Sequence, residues 1–124
     1  EDKRETPLDT GLLSGLWGSL MLRFARAAAS RNNYGQAAVF YQAALLFRPR
    51  PFLWRQLGNM QAAYGLYHQA VASFDRALQD APGDAETWFV KGQNLLRLGD
   101  TDEAETAFDE ALRLNPKLAD RDRD

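Results

Sequence analysis

The sequence predicts an all-α fold, an α-solenoid of three helix-turn-helix repeats, and two observations support this prediction. The chain matches itself when it is shifted by the 34 positions that separate Trp54 from Trp88. Apolar residues also recur three and four positions apart, as in Phe74, Ala77 and Leu78. A fixed period of this length, combined with helical spacing, is typical of stacked helix pairs.

The first repeat is predicted to contain helices over about residues 11–31 and 34–47. Asn32 lies between them, and asparagine tolerates the left-handed backbone in which many helices end. Pro49 closes the unit, because proline cannot continue a helix.

The second repeat is predicted to contain helices over about residues 51–64 and 67–80. Gly65 separates them and Pro82 closes the unit. Gly58 lies inside the first of these helices, where it costs about 1 kcal/mol relative to alanine. We therefore expect a partner helix to cross close to Gly58, near Ala70.

The third repeat follows the same plan, with helices over about residues 84–98 and 101–114. Gly99 separates them and Pro116 closes the unit, while Asp84 and Asp100 are the expected N-caps. Gly92 aligns with Gly58, so the same close crossing is expected, here near Ala104.

The spacing of these residues, which the repeats of this chain share, resembles that of the tetratricopeptide repeat, whose pattern is W-x2-L-G-x2-Y, then A-x3-F, then P. The second repeat reads Trp54-x2-Leu57-Gly58, Ala70-x3-Phe74 and Pro82, and the third reads Trp88-x2-Lys91-Gly92, Ala104-x3-Phe108 and Pro116. The first repeat is weaker and matches at Tyr34, Ala37, Tyr41, Ala44 and Pro49. The chain departs from the family at Gln61 and Leu95, where tyrosine is usual, and at Lys91, where leucine is usual.

This resemblance implies a right-handed superhelix whose concave face is lined by the first helix of each repeat. The matching ligand-facing positions are Leu22, Arg26, Phe52, Arg55, Asn59, Phe89, Gln93, Leu96 and Arg97. Arg26 and Arg55 are expected to point into one concavity and to hold a carboxylate beside apolar side chains of a protein or peptide partner.

Some members of this family hold the acidic tails of heat-shock chaperones with a fixed set of basic and amide residues. The matching positions here are Leu22, Arg26, Gln56, Glu86 and Val90. Only Arg26 is basic, and Glu86 would repel a carboxylate, so binding of such tails is not expected.

Charge is distributed unevenly along the chain. Residues 10–74 contain six arginines and no acidic residue, whereas residues 75–124 contain thirteen acidic and seven basic residues. The resulting dipole would steer charged partners. It would also permit self-association, in which the basic face of one copy meets the acidic face of another.

The residue types exclude most site chemistry. With no cysteine and His68 as the single histidine, the chain cannot form a conventional zinc site. It has no nucleophile elbow, phosphate loop or dinucleotide-binding turn. We therefore predict a protein without catalytic residues, metal or cofactor, and one that does not bind nucleic acid.

The two ends of the chain are predicted separately from the repeats. Residues 1–10 are expected to be a flexible segment, residues 11–116 the repeat domain, and residues 117–124 a charged tail or a truncated capping helix. The repeats span about residues 18–50, 51–84 and 85–117. Nothing in the sequence is expected to cover Ala111 and Leu112 at the end of the array.

The N-terminal part of the first helix carries more apolar surface than one packing contact requires. A stripe of helical spacing is formed by Leu13, Trp17, Leu20, Phe24 and Ala28. This stripe either packs on the second helix, or serves as a docking or self-association surface, or approaches a membrane. Residues 10–22 are uncharged but too few to span a bilayer. Membrane association would therefore need a segment outside this sequence, and the cytoplasm or an organelle stroma is the expected location.

Three functions remain open at this point. The chain is a non-enzymatic scaffold that binds a partner peptide or helix during assembly of a larger complex, a self-association module, or an accessory domain of a larger enzyme.

Overall fold

The computed structural model describes the backbone of residues 7–123 and the side chains of residues 11–121. These residues form six α-helices followed by one 3-10 helix and contain no strand. The α-helices are α1 Pro7–Ser30, α2 Tyr34–Phe47, α3 Pro51–Ala63, α4 Tyr67–Asp80, α5 Ala85–Leu98 and α6 Thr101–Leu114, and the 3-10 helix is Pro116–Arg123.

The helices pack as three antiparallel pairs, α1 with α2, α3 with α4, and α5 with α6. Each pair packs on the next through α2 against α3 and through α4 against α5. The predicted all-α solenoid is therefore confirmed. α1 begins at Pro7, four residues before the expected start at residue 11, and residues 1–6 of the expected flexible segment lie outside the described residues.

The turn inside each pair has the same geometry in all three repeats. Asn32, Gly65 and Gly99 have φ values of 60°, 94° and 85°, as predicted for left-handed residues that end a helix. In each turn, the next amide N–H donates to a carbonyl five residues earlier: Asn33 to Ala28, Leu66 to Gln61, and Asp100 to Leu95. This bond satisfies a carbonyl that the helix end would leave free.

The two helical glycines provide space for an aromatic ring. A Cβ at Gly58 would lie 2.5 Å from Cε1 of Phe74, and one at Gly92 would lie 2.9 Å from Cε1 of Phe108. The predicted close crossing is therefore present, but the phenylalanine rings of α4 and α6, and not the alanines Ala70 and Ala104, occupy the space.

Gln61 replaces the tyrosine usual in the family and forms a buried polar contact. Its side chain is 5% exposed, as is that of Ser73. The Ser73 hydroxyl donates to Oε1 of Gln61 at 2.6 Å and so joins α3 to α4. The departure from the family pattern is thus accommodated by a hydrogen bond inside the second pair.

The C-terminal end of the solenoid is covered by the chain itself. Leu118 is 4% exposed and packs in one cluster with Phe89 and Ala111. Arg121 donates two hydrogen bonds to the Glu86 carboxylate, at 2.8 and 3.0 Å. The expectation that nothing covers Ala111 is therefore wrong, because the 3-10 helix after Pro116 folds back onto α5 and α6.

The N-terminal end of the solenoid has the opposite character. Of the predicted stripe on α1, Ala28 is buried, but Leu13, Trp17 and Phe24 are each more than two-fifths exposed. Phe24 still contacts Phe40 of α2, with ring centroids 5.4 Å apart. Packing on α2 therefore accounts only for the C-terminal half of the stripe.

Candidate functional site

The largest cavity beside the predicted ligand-facing residues lies between the second and third helix pairs, and we call it the central groove. Its volume is about 650 Å³. The lining residues are Ala62, Ala63, Tyr67, Gln93, Asn94, Leu96, Arg97 and Phe108. Three predicted ligand-facing residues, Gln93, Leu96 and Arg97, therefore come together here.

Exposed groups of both kinds, apolar and polar, line the central groove. Leu96 is 51% exposed, although it is a large aliphatic side chain. The Arg97 guanidinium lies over the Tyr67 ring, 5.5 Å from its centroid, and donates to the Tyr67 hydroxyl at 3.4 Å. This stacking holds the guanidinium at the groove wall, where it can bond a ligand carboxylate or carbonyl.

A second, smaller cavity lies at the first helix pair, and we call it the N-terminal pocket. Its volume is about 130 Å³. The lining residues are Gly18, Ser19, Leu22, Arg26, Ala44, Arg48, Arg50, Phe52 and Leu53. It contains three predicted residues, Leu22, Arg26 and Phe52, together with two arginines that the sequence did not mark as ligand-facing.

Arg55 does not share a cavity with Arg26, contrary to the expectation from the sequence. Its Nε lies 3.7 Å from Oδ2 of Asp84, and its guanidinium lies 5.8 Å from the centroid of the Phe52 ring. Asp84 belongs to the next repeat and partly neutralises this arginine. Asn59 is half-buried and lines neither of the two cavities.

Phe89 does not offer an apolar surface to a ligand in this structure. It is 3% exposed and packs edge-to-face on Phe108, with ring centroids 5.4 Å apart. The Arg121 guanidinium also lies over the Phe89 ring, 4.9 Å from the ring centroid. The expected groove position is thus part of the core, because the C-terminal segment closes over it.

The arginines of the N-terminal pocket differ from several basic residues of the C-terminal part in how their charges are paired. Among the side chains of residues 11–121, Arg26, Arg48 and Arg50 have no acidic group within 4.0 Å, whereas Lys91, Arg113 and Arg121 each have one. The hydrogen bond with Glu86 raises the pKa of Arg121. Burial raises the pKa of Tyr41, and the nearby charge of Arg26 partly opposes this effect.

The described residues contain neither a cluster of metal-binding side chains nor a membrane-spanning helix. Across the described residues, no three acidic, histidine or cysteine side chains are grouped as metal ligands would be. None of the described helices combines the length and the apolar character that crossing a membrane requires.

Comparison with known proteins identifies the repeat. A family model described as "Tetratricopeptide repeat" matches residues 55–119, which is more than half of the chain. The chain belongs to the tetratricopeptide repeat family. The resemblance seen in the sequence is confirmed.

The curated relatives of the chain are much longer proteins. The cellulose synthase operon protein C of Komagataeibacter sucrofermentans is 42% identical over 69 residues, which are 56% of this chain and 5% of the relative. The protein of the same name from Komagataeibacter xylinus matches to the same extent. The chain therefore spans about one-twentieth of the length of these relatives.

Solved structures of low sequence identity share the fold. The Yersinia enterocolitica type III secretion chaperone SycD, in complex with a peptide of the translocator YopD, is 20% identical with a TM-score of 0.76, covering 85% of this chain and 83% of that one. The first TPR of Spaghetti (RPAP3), bound to the HSP90 peptide SRMEEVD, is 15% identical with a TM-score of 0.75, covering 80% and 79%.

Proposed function

We propose that this chain is a non-enzymatic scaffold that binds a peptide or helix of a partner protein on its concave face. The central groove carries the proposal. The exposed Leu96 lines this groove together with Gln93 and Arg97. An apolar side chain of the ligand would pack on Leu96, while Gln93 and Arg97 bond its backbone or a carboxylate.

The similar solved structures support a peptide ligand. SycD and the first TPR of Spaghetti were each solved in complex with a peptide. These two proteins of the same fold thus bind peptides, and the present chain has a cavity of about 650 Å³ between its second and third helix pairs in which a peptide could lie.

An acidic chaperone tail is not the ligand that the concave face favours around Glu86. Glu86 occupies a position where such tails meet a basic residue in other family members, and Arg121 of the same chain already bonds it. A tail carboxylate would lose the hydrogen bonds of water without gaining a cation there. A ligand with apolar side chains and few carboxylates is the better match for the central groove.

Selection of peptides from a displayed library, followed by calorimetry, tests this proposal. Leu96→Glu should lower the affinity for the selected peptides at least about tenfold, because it places a charge against their apolar side chains. Leu46→Glu is the matched control, since Leu46 is 83% exposed on α2 and lies outside both cavities. If both variants bind like the original chain, the ligand does not occupy the central groove.

A second candidate function is suggested by the relatives. They are named cellulose synthase operon protein C, and the 42% identity over 69 residues favours a role for this chain as an accessory part of a larger polysaccharide-producing assembly. The test is copurification of the tagged chain with a cellulose synthase. If the tagged chain binds the selected peptides but does not copurify with a cellulose synthase, only the first function is supported.

A further inference from the structure

The N-terminal pocket continues along α1 into a larger cavity, and together they form what we call the N-terminal channel. The larger cavity has a volume of about 450 Å³ and is lined by α1 between Gly11 and Ser19, together with Phe47 and Arg48. Ser19 and Arg48 line both cavities. The channel therefore runs from residue 11 to residue 26 of α1, a distance of about 22 Å at the helical rise.

One wall of the channel is aliphatic and open. Leu12 and Leu16 are 66% and 59% exposed. A Cβ at Gly11 or Gly15 would meet no atom within 4 Å, so the space beside these residues is free. Leu22 and Phe52 continue the apolar lining into the pocket, where Phe52 is 45% exposed.

The inner end of the channel is strongly basic. Arg26 comes from α1, while Arg48 and Arg50 come from the α2–α3 connection, and all three line the N-terminal pocket. No acidic residue occurs between residues 10 and 74. The three arginines are exposed, so their guanidinium groups can bond the carboxylates of a ligand that lies in the channel.

We propose that the N-terminal channel binds an acidic amphipathic segment of a partner protein. Its apolar side chains would lie on Leu12, Leu16 and Leu22, and its carboxylates would bond Arg26, Arg48 and Arg50. This inference rests on the proposed scaffold function, and it adds a second subsite with a different ligand chemistry. The channel accommodates about six or seven residues of extended chain.

A second copy of this chain does not fit the channel as well. Its acidic surface lies mainly on α6, where Asp102, Glu105 and Asp109 are exposed. No large hydrophobic side chain on α6 is among those that are exposed, so this surface would leave the aliphatic wall uncovered. Charge alone would then hold the contact.

A membrane or a nucleic acid fits less well for other reasons. A flat lipid surface could contact the three arginines, which are exposed, but it would leave the cavity of about 130 Å³ beside them unfilled. The cavity around Leu12 and Leu16 has a single aromatic ring in its lining, Phe47, and a single cation, Arg48, whereas single-stranded nucleic acid binds along a groove that offers several of each.

Competitive binding with the displayed-library peptides provides the test. We expect two groups of selected sequences, and the group rich in both acidic and apolar residues should depend on the channel. Arg48→Gln and Arg26→Gln should each lower the affinity for the peptides of that group about tenfold, because each removes one charged hydrogen bond. Arg31→Gln is the matched control, because Arg31 is exposed and lines neither cavity of the channel.

The outcomes separate this inference from the proposed function. If Leu96→Glu weakens peptides that Arg48→Gln leaves unchanged, and no acidic group is selected, the channel proposal is overturned while the scaffold function stands. If acidic peptides bind but are insensitive to Arg26→Gln and Arg48→Gln, the channel is equally overturned. Arg48-dependent binding of phosphatidylserine vesicles or of single-stranded RNA, without any acidic peptide, would assign the channel to that ligand instead.

Discussion

Replacement of Gly58 by alanine should destabilise the fold, although alanine is the better helix former. Its Cβ would lie 2.5, 2.8 and 2.9 Å from three atoms of the Phe74 ring. Phe74 is 0% exposed, so the ring is packed on all sides by other residues and can move only by displacing them. Overpacking of this kind costs about 1 to 3 kcal/mol, and the gain in helix propensity returns at most about 1 kcal/mol.

With the overpacking cost at the middle of its range, about 2 kcal/mol, and the propensity gain at most about 1 kcal/mol, we expect a net loss of about 1 kcal/mol or more. This loss is observable as a fall of at least about 3 °C in the midpoint of thermal unfolding followed by circular dichroism. Gly15→Ala is the matched control, because its Cβ would contact nothing within 4 Å; it should raise the midpoint slightly. Gly58→Ala combined with Phe74→Leu should show a coupling energy, since the leucine removes the ring. A Gly58→Ala variant with an unchanged or raised midpoint would refute the reasoning.

Three further predictions concern stability and association. Ser73→Ala should lower the free energy of unfolding, measured in urea, by about 1 to 3 kcal/mol because it leaves Gln61 with a buried, unpaired oxygen. Adding Gln61→Leu should recover much of that loss. Equal stability of the Ser73→Ala variant and the original chain would contradict this prediction. Leu118→Ala should cost about 2 kcal/mol in the same assay. Arg121→Ala should cost less than Leu118→Ala, because the ion pair of Arg121 with Glu86 is exposed to solvent. The reverse order would show that the ion pair closes the solenoid. Head-to-tail association, in which the basic half of one copy contacts the acidic half of another, should be detectable by light scattering at 0.01 M salt. It should weaken at 0.15 M salt because the screening length falls from about 30 to about 8 Å. A monomeric mass at both salt concentrations would contradict this prediction.

The helices could be predicted almost completely from the sequence because the residues that end them act locally. Asn32, Gly65 and Gly99 adopt the left-handed conformation that few other residues tolerate, and a proline follows the second helix of each pair. Helices α2, α4 and α6 begin and end at the predicted residues. These signals depend on a few neighbouring residues and require no knowledge of the tertiary contacts.

The ligand-facing residues were harder to predict, because their exposure depends on distant parts of the chain. Arg55 is paired with Asp84, and Phe89 is covered by Arg121, in both cases through contacts about thirty positions away along the sequence. Repeat alignment places a residue on a face of its helix, but it does not show what the following segment covers.

Arg48 and Arg50 were missed for a different reason. They lie in the connection between two pairs, and the ligand-facing positions implied by the family are all on first helices. One signal was available: these two arginines flank Pro49 in a stretch without any acidic residue to neutralise them. Such unbalanced charge beside a rigid turn favours an exposed binding role.

Each helix pair packs only on its neighbouring pairs, and this arrangement determines how the two ends of the array can open. Since no major contact joins the first pair to the third among the described residues, each end can open without disrupting the other. Amide hydrogens in α3 and α4 should then exchange slowest. A bound segment that extends from the N-terminal channel to the central groove would contact all three pairs at once and slow exchange throughout the array.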